Sequence, residues 1–194
     1  MTSLLLATRN EHKRREFARL LSGWEIDPLP ADVELPPEDG ETFAENALGK
    51  ARAAAAATGR ASIADDSGIE AAALGGRPGV RSARYAGEHA SDAENLALLL
   101  REAPAGSALE YVCVLAYVDP AEPGMERVFE GRCGGTLASA PRGERGFGYD
   151  PAFVPEGRPE TETMAELSDA RKDLISHRGH AARALLRWLS ATSG

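Results

Sequence analysis

The sequence predicts an α/β fold in a single domain. Short apolar runs at residues 3–7, 61–63 and 109–118 have strand length, and segments of helical spacing lie between them. Capping-box patterns recur, as in Thr42-Phe43-Ala44-Glu45 and Thr163-Met164-Ala165-Glu166. The chain has 194 residues, 43% hydrophobic and 27% charged, enough for one full core that can divide into two lobes around a cleft.

Residues 3–7 read as a buried strand, followed by Thr8-Arg9-Asn10-Glu11-His12-Lys13 and then a helix. Phe17, Leu20 and Leu21 give that helix its apolar spacing, and Gly23 closes it. Residues 24–29 form a second strand, and the acidic, Pro-rich stretch 31–40 is a loop. Thr42 caps an Ala-rich helix that runs to Thr58 and stops at Gly59. Phe43, Ala47, Lys50 and Ala54 fall on one face of it. A short strand then ends in Ala64-Asp65-Asp66-Ser67-Gly68, and a Gly- and Pro-rich turn follows at 74–79.

Residues 80–87 read as a loop, and Ser91-Asp92-Ala93-Glu94 opens a helix. The near-continuous apolar run 109–118 suits a central strand. Residues 126–133 form a strand that can pair antiparallel with it, and 134–138 continue irregularly. Gly143 to Pro151 is a Gly-rich turn before a short strand at 152–154. Ser168 caps a short helix carrying Lys172, and Ser176-His177-Arg178-Gly179 precedes a C-terminal helix buried through Ala181, Ala184, Leu185, Trp188 and Leu189.

Composition excludes several classes. A formal charge of -8 argues against gripping a nucleic-acid polymer, which needs a broad basic surface. No apolar run reaches the length of a membrane span. The N-terminus enters an apolar strand without a basic region, so no signal peptide is expected. Cys113 and Cys133 read as small buried residues in a reducing, cytoplasmic setting, with a disulfide as the alternative. The four histidines lack metal-ligand spacing, so zinc is not expected.

Four segments carry chemistry, each with a bland alternative. Paired carboxylates at a strand end repel one another and persist best where a cation shares their charge. Asp65 and Asp66 therefore suggest a divalent-metal and catalytic site, or else a solvated acidic turn with Gly68 in a left-handed conformation. The 8–13 turn leads into a helix N-terminus, which favours an anion, or it is a capped helix with a basic face. Phe147-Gly148-Tyr149-Asp150 can stack on a base and accept from its N–H groups, or it is an ordinary turn. His177 and Arg178 offer donors to a carbonyl or phosphate, or they are simple surface.

Taken in order, these segments with Thr42-Phe43-Ala44-Glu45-Asn46-Ala47 and Ser82-Ala83-Arg84-Tyr85 resemble the Ham1/inosine triphosphatase family, especially its bacterial branch of pyrophosphatases for non-standard purine nucleoside triphosphates. The resemblance covers essentially the whole chain. It implies an elongated, two-lobed α/β fold with a long mixed, twisted sheet and a central nucleotide-binding cleft, usually as a homodimer. It implies cleavage of ITP, dITP and XTP between the α- and β-phosphates, with Mg²⁺ as cofactor.

The resemblance also implies residue roles. Asp66 matches the proton acceptor and metal ligand, and Ser67 a substrate contact. Thr8, Arg9, Asn10, Glu11, His12 and Lys13 match the nucleotide-binding turn. Lys50 and Lys172 match substrate-site lysines. Phe147, Gly148, Tyr149, Asp150, His177 and Arg178 match base-side contacts. Two departures stand out. Arg9 replaces the family's usual Gly, adding a phosphate contact or narrowing the approach. The metal-binding Glu of the acidic loop aligns with Pro37, leaving Glu38 as the second ligand.

Bottom-up, a triphosphate brings about four negative charges, so the site needs Mg²⁺ and several cations such as Lys13, Lys50 and Lys172. The rival readings are a Maf-type nucleotide pyrophosphatase, a non-catalytic nucleotide-binding regulator and an interaction protein. The turn at 147–150 with His177-Arg178 argues against the first. The intact acids argue against the second, and the lack of repeats or tails against the third.

Overall fold

A computed structural model describes residues 3–122, 124–157 and 162–192. Among these residues six strands form one sheet, in the order β2-β1-β3-β4-β5-β6. They are β1 (Ser3–Leu6), β2 (Glu25–Pro28), β3 (Ser62–Ala71), β4 (Ala108–Val118), β5 (Glu126–Leu137) and β6 (Phe153–Pro155). β1 runs parallel to both β2 and β3, while β5 and β6 are antiparallel, so the sheet is mixed. The helices are α1 (Glu11–Leu20), α2 (Phe43–Thr58), α3 (Asp92–Glu102), α4 (Asp169–Ile175) and α5 (His177–Thr192). The α/β class and the central place of the 108–118 strand agree with the sequence.

Local chemistry fixes the helix ends. Asn10 caps α1 by accepting from the His12 and Lys13 amides. Thr42 with Glu45, and Ser91 with Glu94, form complete capping boxes on α2 and α3. Gly59 ends α2 in the left-handed conformation at φ 68°, where a side chain would be strained.

Three expectations are corrected. The strand before the acidic pair does not end there: β3 continues to Ala71, so Asp65 and Asp66 lie in its interior and Gly68 is not left-handed. Packing overrides the turn-like composition, since eight of the strand's ten residues are buried. The 126–133 strand likewise extends to Leu137. Gly135 pairs with Pro155 of β6, and a Cβ there would lie 2.5 Å from the Val154 carbonyl oxygen, so the glycine permits the pairing. The expected loop after Gly79 contains a 3-10 helix, Gly79–Arg84.

The chain divides into two compact units. The first comprises residues 1–66, 113–131 and 178–194. Its core joins Leu4, Leu6 and Ile63 of the sheet to Phe17 and Leu21, with Cys113 and Leu115 and the α5 residues Ala181, Ala182, Leu185 and Leu189. The second comprises residues 67–112 and 132–177. Its core gathers Ile69, Leu96, Leu99, Tyr111, Leu137, Phe153, Met164 and Leu167. Both cysteines are free and buried, and burial pushes the Cys133 thiol up to about 12. No described helix is long and apolar enough to cross a membrane.

Candidate active site

Strand alternation separates the two adjacent acids. Side chains at i and i+2 of a strand share a face, so Asp65 projects on the side of Ile63, toward α1 and α5. Its Oδ2 lies 3.0 Å from Lys13 Nζ and 3.6 Å from Arg178 Nε. Arg178 Nη1 in turn donates to Glu16 Oε2 at 3.0 Å, and both side chains are buried. Burial alone would raise the Asp65 carboxyl. Lys13, Arg178 and Lys50 outweigh it and hold the group well below the usual carboxylate range. Asp65 is therefore a permanent anion and the counter-charge of a buried network.

Asp66 faces α2. Asn46 Nδ2 donates to Asp66 Oδ2 at 2.8 Å, while Asn46 Oδ1 accepts from the Gly40 amide at 2.8 Å. A Cβ on Gly40 would sit 2.7 Å from that oxygen, so the glycine allows the loop to close on the helix. One turn further along α2, Lys50 Nζ donates to the Asp65 carbonyl oxygen at 2.6 Å and pairs with Glu38. Burial works against this ammonium, but Asp65, Glu38 and Asp66 keep its pKa raised. The Asp66 carboxyl is raised above its ordinary value, chiefly by burial, with Glu38 adding to the effect and Lys50, Asn46 and Lys13 opposing it. Of the two acids, Asp66 is the one tuned toward accepting a proton.

The first unit thus brings Lys13, Lys50, Glu38, Asp65, Asp66 and Arg178 into one charged cluster. Glu38 and Asp66 offer two carboxylates to a cation, and among the described residues no group of three or more His, Cys, Asp or Glu is arranged to hold a metal. Carboxylate oxygens are the donors that a hard divalent cation takes, and such an ion completes its shell with waters and phosphate oxygens.

The rest of the turn at residues 8–13 is placed differently. Thr8 Oγ1 accepts from the Asn10 amide at 3.2 Å, and Asn10 caps the helix. Glu11 pairs with Arg14 on the exposed face, and His12 is exposed. Arg9 turns its guanidinium to the carbonyls of Leu29, Pro30, Ala31 and Val33. Ser67 is half-buried beside the acids.

In the second unit, Asp150 is the hub. It is buried and accepts from Lys172 Nζ at 2.6 Å, the Phe147 amide at 3.0 Å and the Tyr111 hydroxyl at 3.1 Å. Lys172 Nζ also lies 5.4 Å from the Phe147 ring centroid. The tight turn needs Gly146 at φ 73°, because a Cβ there would approach Asp150 Oδ2 to 2.0 Å. The Gly148 amide donates to Asp92 Oδ2 at 2.8 Å, and the Tyr149 hydroxyl donates to the Ser82 carbonyl at 2.7 Å. Tyr149 is thus buried and tied down. His177 stacks on Tyr111 at 4.5 Å and 7°. Lys172 and Asp150 present a cationic donor and an acceptor side by side.

Sequence reasoning missed Asn46, Glu16 and Tyr111, and treated Asp65 only as half of a pair. Asn46 stands four residues before Lys50, so helical spacing could have found it. Glu16, an acid in a basic helix, was a weak hint. Tyr111 lies in an apolar run and left no signal.

A family model described as the Ham1 family matches residues 4–188. The dITP/XTP pyrophosphatase of Mycobacterium tuberculosis (strain ATCC 25618 / H37Rv) is 46% identical over 203 residues, covering 96% of this chain and 94% of that protein. The dITP/XTP pyrophosphatase of Geobacillus kaustophilus (strain HTA426) is 49% identical over 191 residues, covering 93% and 91%. The solved HAM1 protein from Coxiella burnetii superposes with a TM-score of 0.86 at 38% identity, over 98% of this chain and 100% of its own.

Proposed function

This chain belongs to the Ham1 family, and from that premise we propose that it hydrolyses non-standard purine nucleoside triphosphates. ITP, dITP and XTP are cleaved to the monophosphate and pyrophosphate, which keeps deaminated bases out of the nucleotide pool. The observation that carries this reading is the pairing of an ion-paired Asp65 with a pKa-raised Asp66, flanked by Lys13 and Lys50. Both lysines neutralise phosphate charge. Lys13 is held in place by Asp65, and Lys50 by Glu38 and the Asp65 carbonyl.

Glu38 and Asp66 would hold Mg²⁺, which would supply charge neutralisation at the phosphates and a more acidic water. Asp66 orients the attacking water and accepts its proton. Asn46 fixes the carboxylate's orientation for that task. Thr8, Asn10, Glu11 and His12, with the backbone of Arg9 and with Ser67, complete the phosphate side.

Base recognition falls to Phe147, Gly148, Tyr149, Asp150, Lys172, His177 and Arg178. Hypoxanthine and xanthine present an acceptor at position 6, whereas adenine presents a donor there. A cationic donor such as Lys172 or Arg178 bonds the first and is left unsatisfied by the second. The whole chain serves as one catalytic domain, works as a homodimer and resides in the cytoplasm. The test is pyrophosphate release with Mg²⁺ from ITP, dITP, XTP, ATP, GTP and pyrimidine triphosphates, with mass in solution from light scattering. Turnover of ITP, dITP and XTP far above ATP supports the reading. Preference for pyrimidine nucleotides, or no release, refutes it.

A further inference from the structure

Arg9 makes contacts that the proposed reaction does not use. Its Nη1 donates to the Leu29 carbonyl at 3.0 Å. Its Nη2 donates to the carbonyls of Pro30 at 2.7 Å, Ala31 at 3.3 Å and Val33 at 2.7 Å. Four acceptors of one short segment thus converge on a single side chain. A planar guanidinium fork can span them, whereas a lysine ammonium is a point charge and cannot.

The segment needs such a tether. Between the end of β2 at Pro28 and the start of α2 at Phe43 no regular element forms. Its far end is anchored by the Gly40–Asn46 bond and by Glu45 Oε2, which accepts from the Glu41 and Thr42 amides. Its near end is held by Arg9. Glu38 lies between the two anchors and forms an ion pair with Lys50. A segment with few regular backbone bonds opens locally unless side chains pin it.

We propose that Arg9 is a positioning residue that ties residues 29–33 to the β1–α1 turn and so holds the loop that carries Glu38. The side chain that replaces the family's usual Gly is therefore spent on the metal-side loop rather than on phosphate. The link to catalysis rests on the proposed role of Glu38, whereas the tether itself does not.

Two measurements separate these levels. Amide hydrogen exchange on the full-length protein without metal or nucleotide reads the tether directly. In Arg9→Gly and Arg9→Lys, exchange across residues 29–39 should accelerate while α2 keeps its protection. Millimolar guanidinium should slow that exchange again in Arg9→Gly by occupying the four carbonyls. In ITP hydrolysis, the Mg²⁺ concentration for half-maximal rate should rise about 10-fold or more, as for loss of an outer-shell partner, and by a larger factor than kcat falls. Unchanged exchange across 29–39 overturns the tether. Faster exchange with unchanged Mg²⁺ dependence overturns the link to Glu38. A higher KM for ITP with neither change makes Arg9 a phosphate contact and overturns the proposal. A wild-type protein that hydrolyses no triphosphate refutes the proposed function alone, and exchange still decides the tether.

Discussion

Asp65→Asn should cost more stability than its conservative shape suggests. The amide keeps the side chain's volume but removes the anion facing Lys13 at 3.0 Å and Arg178 at 3.6 Å. Removing one partner of a buried ion pair typically costs about 3–5 kcal/mol. Arg178 keeps Glu16 at 3.0 Å, and Lys13 retains some solvent contact, so the lower end applies, about 3 kcal/mol. For a chain of this length that lowers Tm by roughly 6–12 °C. The pH dependence has a definite sign. A carboxyl whose folded pKa is depressed stabilises the fold above its unfolded value near 3.8 and loses that contribution as pH falls through the folded value. The gap between wild type and variant should be full at pH 7 and shrink as pH drops below about 4. Urea unfolding at a series of pH values measures it. A gap near zero at pH 7, or one that does not shrink in acid, would refute Asp65 as an ionised counter-charge.

Other substitutions test the neighbouring roles. Asp66→Asn should lower kcat for ITP by on the order of 10²-fold or more without unfolding the protein, and near wild-type turnover would remove Asp66 from proton transfer. Lys13→Ala and Lys50→Ala should weaken ITP binding more than inosine binding in calorimetry, and equal losses would exclude phosphate neutralisation. Arg178→Ala should narrow the ITP-to-ATP ratio of kcat/KM by roughly 10- to 150-fold if Arg178 reads the base. An unchanged ratio with a lowered Tm would leave it the partner of Glu16 and Asp65 only.

What the sequence determined by itself was local. Thr42 with Glu45, Ser91 with Glu94, and Gly59 set helix boundaries through bonds within a few residues, so the pattern alone placed them. The apolar run at 109–118 announced its strand because burial on both faces leaves no alternation. The order of motifs along the chain indicated the family, and with it the acids and lysines of the proposed site.

The tertiary structure decided what depends on distant partners. Asp65 and Asp66 look alike in sequence, yet alternation along β3 sends one to Lys13 and Arg178 and the other to Asn46, which drives their pKa values in opposite directions. Residues 64–68 have the composition of a turn, but they continue as strand because the neighbouring elements bury them. Glu16 meets Arg178 across 162 positions, and Arg9 meets carbonyls at least twenty residues away. No local pattern encodes such pairs, because each depends on the fold bringing both partners to one place before either charge is satisfied.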